Sequence, residues 1–363
     1  MKPAETVQRC PRCLLPANFP GIRIAGDSCN YCEKYAAPAR AYRGEARLRA
    51  DIADILARYP DRNPEYDAVV GFSGGMDSTW LLYYAKKVLG LKVLAITVRH
   101  RYIPEQTIEN IERIAKNLDV PLLYVENPHL DEEAAYFIRQ WAKRPTAAGL
   151  IGFCTGCRYG LTRLLPQAAA ERKIHILLSG ETQYERSSFK MHSVMLNPDK
   201  PSTLGLALGY GRELALNPGY LAEPGRLVFQ LKEFSGKKKR SDYLKSLGIT
   251  RVRPFYDYIE WNRDQAQAVL DQLGWRKAEG VAQAWRSDCE IGLIRQHYYR
   301  RLLGFNDQEV KRAHLLRTGQ LSLDHPGEIR DTDPEVIRKI LRDTFGLYYD
   351  DIENRIQHLE GRA

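Results

Sequence analysis

No stretch of this chain approaches the run of roughly 18 apolar residues that a membrane helix needs. A membrane-spanning helix is therefore not expected. The opening MKPAETVQRC lacks the apolar centre of a secretory signal, so the expected compartment is the cytoplasm. There is no internal repeat and no low-complexity tract. A charged fraction of 27% argues against wholesale disorder. The 363 residues, 44% of them hydrophobic, suffice for one large domain or two with a sizeable core. Charge of one sign is only mildly in excess, at +9. That suits an anionic partner such as a nucleotide, a phosphorylated sugar or RNA, without selecting among them.

Cysteine is sparse but patterned. In a reducing compartment, spaced cysteines read as metal ligands or catalysts before disulfides. CPRC and CNYC hold Cys10, Cys13, Cys29 and Cys32, two CxxC pairs with fifteen residues between them. Four thiolates at that spacing fit a closed, tetrahedral, structural Zn²⁺ site. A metal would also hold together a segment too rich in Cys, Pro and Gly to build its own core. Three further cysteines follow: Cys154 and Cys157 in FCTGC, and Cys289 in RSDC. A CxxC at a helix start suits metal binding or redox chemistry. An iron–sulfur cluster, a second zinc, a redox pair and plain structural thiols all fit this trio.

Periodicity divides the chain. Residues 1–40 form the cysteine module, and EARLRADIADILARY makes 41–64 a linking helix. From Tyr66, short β-rich runs alternate with helical ones. YDAVVGF, LKVLAITV, VPLLYVE and IHILLSG read as strands; DSTWLLYYAKKVLG, EQTIENIERIAKNLD and CRYGLTRLLPQAAAERK read as helices. This alternation predicts an α/β fold, a parallel sheet with helices on both faces, over 65–275. Residues 186–235 show no clear period and read as a long excursion near the active site. Residues 276–363 read as a helical C-terminal region.

The sharpest signal is VVGFSGGMDSTW. Gly74 and Gly75 let the backbone turn and bring its N–H groups close to a ligand. A helix follows at once, so its N-terminal amides face the same point. Ser73 and Ser78 add hydroxyls, while Asp77 suits orienting amides or holding Mg²⁺. No Lys-Ser/Thr follows the glycines, which excludes a Walker A loop.

SGGMDS resembles the SGGxDS signature of the PP-loop ATP pyrophosphatases, and the alternating pattern extends the resemblance over about Tyr66 to Trp275. The resemblance implies that the loop grips the pyrophosphate of ATP with Mg²⁺. The enzyme adenylates a substrate oxygen, releases pyrophosphate, and lets a nitrogen or sulfur nucleophile displace AMP. It places Asp77 in the catalytic machinery and nucleotide contacts at Ser73, Gly74, Gly75, Asp77, Ser78, Thr97 and Gly180. Glu181, after the strand-end glycine, either meets the nucleotide, substrate or metal or is a plain loop carboxylate. Lys237, in GKKKR, either neutralises phosphates or belongs to a solvated basic loop. RVRPFYDY resembles the segment that closes this domain. No Ser–His–Asp or Cys–His arrangement is required, so His100, His175 and His192 are expected to be ordinary histidines.

CPRCLLPANFPGIRIAGDSCNYC, together with LLRTGQLS in the tail, resembles the N-acetyl sugar amidotransferases of surface-polysaccharide pathways. That resemblance implies a nucleotide-sugar substrate and ammonia from a separate glutaminase subunit, because no glutaminase module is recognisable. The trio Cys154, Cys157 and Cys289 resembles instead the iron–sulfur tRNA thiolation enzymes. There a [4Fe–4S] cluster with one open iron carries sulfide, the trio is catalytic, and RNA is the partner. Against that reading, no extra RNA-binding module is recognisable. A non-catalytic nucleotide-binding regulator is the third reading.

Overall fold

The computed structural model describes residues 7–36, 42–183, 189–196, 202–234, 237–277, 288–327, 329 and 331–361. Of 231–234 and 237–239 it describes the backbone alone.

The N-terminal module is a hairpin, β1 (Ile24–Ala25) and β2 (Ser28–Cys29), followed by α1 (Asn30–Ala36). Helix α2 (Glu45–Ala57) then leads into the sheet, burying Leu48, Ile52 and Ile55. The sheet strands are β3 (Ala68–Gly71), β4 (Val93–Arg99), β5 (Leu122–Glu126), β6 (Ile176–Leu178) and β7 (Thr250–Val252). All pair in parallel, in the order β5-β4-β3-β6-β7. Ala68, Val69 and Val70 are wholly buried. Such continuous apolar strands are what a parallel sheet covered on both faces demands. Ala68 and Val70 point into a core with α2 and α3 (Met76–Tyr83), while Val69 points into another with α7 (Leu165–Glu171).

The chain runs outward from β3 through β4 and β5, then returns to the other side of β3 as β6. Between β4 and β6 lie α4 (Glu105–Asn117), α5 (Pro128–Trp141) and α6 (Thr155–Tyr159). A doubly wound sheet opens a crevice at the carboxyl ends of the strands where the order reverses, here between β3 and β6.

The sequence pattern showed four strands; β7 is the fifth. It is three residues long and carries Arg251 at its centre, too short to display a period. The stretch without clear period is largely helical where described: α8 (Lys190–Val194), α9 (Thr203–Leu216) and α10 (Pro224–Phe234). In α9, three glycines and the exposed Leu204 and Leu208 dilute the apolar stripe. Helices α11 (Lys237–Ser246) and α12 (Arg263–Gln272) flank β7. The tail contributes α13 (Glu290–Leu303), α14 (Asp307–Arg317), α15 (Pro334–Phe345) and α16 (Tyr349–Glu360).

The two ends of the chain share one core. Phe19 packs 5.3 Å from Phe305 and 6.0 Å from Phe189, measured between ring centres. Beside them, the nearly inaccessible carboxylate of Glu309 receives Arg9, Arg300 and Arg312 at 3.1, 2.9 and 2.7 Å. No helix among the described residues is long and apolar enough to cross a membrane.

Candidate functional site

The loop between β3 and α3 is shaped by its own hydroxyls. The Ser73 amide donates to Ser78 Oγ at 3.2 Å, Ser78 Oγ donates to the Gly75 carbonyl at 3.1 Å, and the two serine oxygens lie 3.2 Å apart. Gly74 turns the chain at φ +76°, a conformation an L side chain resists. A Cβ there would stand 2.7 Å from Ile111 Cγ1 on α4. Trp275 Nε1 donates to the Gly74 carbonyl at 2.8 Å and pins the turn from outside. Gly75 begins α3 with no side-chain cap on the helix. Helix amides left without a side-chain acceptor, with the dipole behind them, form an anion-binding point.

Gly180, after β6, faces the first turn of α3: a Cβ on it would lie 3.4 Å from the Asp77 carbonyl. Ser73, Gly74, Gly75, Asp77, Ser78 and Gly180 thus meet at the crevice between β3 and β6. Thr97 stands differently. It is 1% exposed, and its hydroxyl donates to the Phe72 carbonyl at 2.7 Å, holding the strand ends in register. Glu181 is paired with Arg251 at 2.8 Å and Arg253 at 3.5 Å. Lys237 opens α11, and its side chain lies outside the described residues.

The three later cysteines lie within electrostatic reach of one another although Cys289 is far from the other two in sequence. Cys154 and Cys157 bracket the start of α6. Gly160 lets this segment approach β4: a Cβ there would lie 2.5 Å from Val98 Cγ1. Cys289 precedes α13, within electrostatic reach of both. Burial first, then the charges of Cys154 and Asp288, pushes the Cys157 thiol up to about 12, although its surface still meets solvent. Burial and the other two cysteines likewise push Cys289 upward. Arg295, on α13, donates to Cys154 Sγ at 2.8 Å.

Four residues that the motifs did not point to complete this region. Asp288 ties the trio to the loop: its Oδ2 lies 3.1 Å from where a Gly75 Cβ would stand. It also acts electrostatically on Cys157, Cys289 and His100. His100, just past β4, is held below the ordinary histidine range by burial, against the pull of Asp131 and Asp288. Its Nδ1 is buried without a hydrogen-bond partner. Arg295 and Trp275 are the others. Asp288 adjoins Cys289 in RSDC, which was the available clue; nothing local marks Trp275.

Cys10, Cys13, Cys29 and Cys32 converge with all four sulfurs within 4.8 Å of one another. The separations are 3.9 Å for Cys10–Cys32, 3.8 Å for Cys13–Cys29 and 3.8 Å for Cys29–Cys32. A tetrahedron with Zn–S of about 2.3 Å requires sulfurs roughly 3.8 Å apart. The donor set fits Zn²⁺.

A protein-family model described as a PP-loop domain matches residues 46–180. Two relatives are uncharacterised proteins of Methanocaldococcus jannaschii. MJ1599 is 26% identical over 85 residues, covering 23% of this chain and 31% of the relative. MJ1016 is 22% identical over 285 residues, covering 73% of this chain and 82% of the relative. The chain thus spans about a third of the length of the first and about four fifths of the second. Among solved structures, the U34-tRNA thiolase NcsA from Methanococcus maripaludis with its [4Fe-4S] cluster aligns with a TM-score of 0.31 at 15% identity. The alignment covers 81% of this chain and 87% of that one. The glycine turn and the uncapped start of α3 both lie within residues 46–180, the segment that matches the PP-loop domain model.

Proposed function

We propose that this protein is an ATP-dependent enzyme that adenylates a carbonyl or amide oxygen of its substrate. Pyrophosphate leaves, and a nucleophile then displaces AMP. The observation that carries this reading is the uncapped start of α3 beside the Gly74 turn, at the crevice between β3 and β6. Loop amides aimed at a departing pyrophosphate stabilise the charge that develops there. Asp77 and Asp288 carry the hard oxygen donors that suit Mg²⁺, which neutralises phosphate charge when bound.

For the nucleophile, the arrangement favours sulfur. Asp288 joins the cysteine trio to the phosphate loop, and nitrogen transfer has no need of thiols there. Cys154, Cys157 and Cys289 would hold a [4Fe–4S] cluster, whose open iron supplies a binding site for sulfide. Arg295 holds Cys154, and Cys154 and Cys289 are half-buried while Cys157 is exposed. Ammonia-dependent sugar amidotransfer is the second reading. It is supported by the order and spacing of CPRC and CNYC, and it calls for a glutaminase partner.

The test is product analysis with ATP, Mg²⁺ and candidate acceptors, both RNA and nucleotide-sugars. AMP and pyrophosphate in equal amounts are expected; ADP and inorganic phosphate would overturn the adenylation reading. Iron and acid-labile sulfide are then measured on anaerobically purified wild type, Cys154→Ala and Cys289→Ala. Iron and sulfide lost in both variants supports sulfur transfer. Iron-free wild type refutes the cluster and leaves amidotransfer.

A further inference from the structure

The four-cysteine centre receives a contact from the other end of the chain. Arg317, the last residue of α14, donates from Nη2 to Cys13 Sγ at 3.1 Å, across 304 positions of sequence. Its guanidinium also lies within interaction reach of Cys32. The Tyr31 ring lies 5.9 Å away, walling the guanidinium on another side. Helix α14 is itself anchored to the cysteine module through the Arg9–Glu309 pair at 3.1 Å.

Electrostatics explains why an arginine should stand there. Four thiolates around Zn²⁺ leave two excess negative charges. Here the sulfurs belong to residues no more than 1% exposed, so water does little to disperse that charge. An uncompensated buried charge is strongly unfavourable, and a hydrogen-bonded cation offsets part of that penalty. Among the described residues of the cysteine module, the cations are engaged elsewhere or turned outward. Arg9 is bound to Glu309, and Arg12, Arg23 and Lys34 are exposed. The compensating charge therefore comes from the tail.

We propose that Arg317 is a positioning residue of the metal centre: it supplies the buried counter-charge of the Cys10–Cys13–Cys29–Cys32 site and so couples metal binding to the docking of α14. The proposal rests on the reading of those four cysteines as a Zn²⁺ site. Outer contacts of this kind typically alter metal affinity 10- to 100-fold when removed. Lysine keeps the charge but not the planar fork, so it restores the site only in part.

The test uses the full chain as wild type, Arg317→Met and Arg317→Lys, with Arg12→Met as an exposed control from the same module. Zinc content of the wild type, expected near one per chain, checks the site itself; a wild type that takes up no zinc removes the site and the proposal together. Competition with a chromophoric chelator measures affinity, and the sulfur-to-metal charge-transfer band of the Co²⁺-substituted protein reports the sulfurs directly. Arg317→Met is expected to bind zinc about 10- to 100-fold more weakly with a shifted Co²⁺ band. Arg317→Lys falls between, and Arg12→Met matches the wild type. Should Arg317→Met not fold with saturating zinc, judged by circular dichroism, Arg317→Gln and Arg317→Lys decide on the same readings. Wild-type affinity and an unshifted band in a folded Arg317 variant overturn the proposal.

Discussion

Gly74 and Gly75 are neighbours in one loop, yet replacing each by alanine should have separable effects. At Gly74 the backbone sits at φ +76°, and a new Cβ would stand 2.7 Å from Ile111 Cγ1 and 3.2 Å from Thr107 Cγ2. The left-handed conformation costs alanine about 1–2 kcal/mol. Forcing a methyl against a packed helix costs about 1–3 kcal/mol more. Gly74→Ala should therefore lose about 2–5 kcal/mol of stability, a drop of about 3–10 °C in Tm. At Gly75, φ is −78°, which any residue adopts. The nearest atoms to a new Cβ are Asp288 Oδ2 at 3.1 Å and Ser73 Oγ at 3.4 Å, both at side-chain ends able to shift. Gly75→Ala should hold its stability to within about 1 kcal/mol. Its methyl, however, stands where the backbone must approach phosphate, so ATP binding should weaken at least tenfold. Thermal melts and ATP titration of both variants make the comparison. Equal melting losses in the two, or a Gly75→Ala protein that binds ATP normally, would refute this account of the loop.

Three further outcomes follow from the packing. Glu309→Gln removes the carboxylate that Arg9, Arg300 and Arg312 share, with its side chain 1% exposed. Arg300 keeps Asp331 at 3.1 Å, but the half-buried Arg9 and Arg312 lose their carboxylate, which should cost up to about 3–5 kcal/mol in urea unfolding. His297, hydrogen-bonded to Tyr349 at 3.2 Å, is held down at about 4 by burial, against Asp331 and with Arg301. A depressed histidine favours its neutral form in the fold. Its contribution is complete above the unfolded value of about 6.5 and fades as pH falls towards 4, by up to roughly 3 kcal/mol. His297→Gln should flatten unfolding midpoints compared between pH 7 and 4.5. Finally, Cys10→Ser should abolish zinc retention, measured by elemental analysis, whereas Cys154→Ser should leave it intact because the two sites share no ligand.

The parts legible in the sequence are those whose physics is local. SGGMDS can be read because two glycines, a following helix and flanking hydroxyls build an anion cradle from contiguous residues. The paired CxxC motifs can be read because each pair is contiguous in sequence, and the four thiols they supply converge in the fold. The alternation of apolar runs and amphipathic helices can be read because a doubly covered parallel sheet imposes it. Residues 203–216 escaped because glycines and exposed leucines blur the period of α9. Strand β7 escaped because three residues are too few to show one.

What the sequence by itself determined is therefore the fold class, the glycine loop after β3 and the convergence-ready cysteine pairs, each set by residues close along the chain. Tertiary structure alone decided which distant residues meet them. It brought Asp288 over Gly75, Arg295 onto Cys154, Trp275 onto the Gly74 carbonyl and Arg317 onto Cys13. It also turned Thr97 inward to serve the sheet. Such contacts depend on where the C-terminal helices pack, and no spacing of residues along the chain records that.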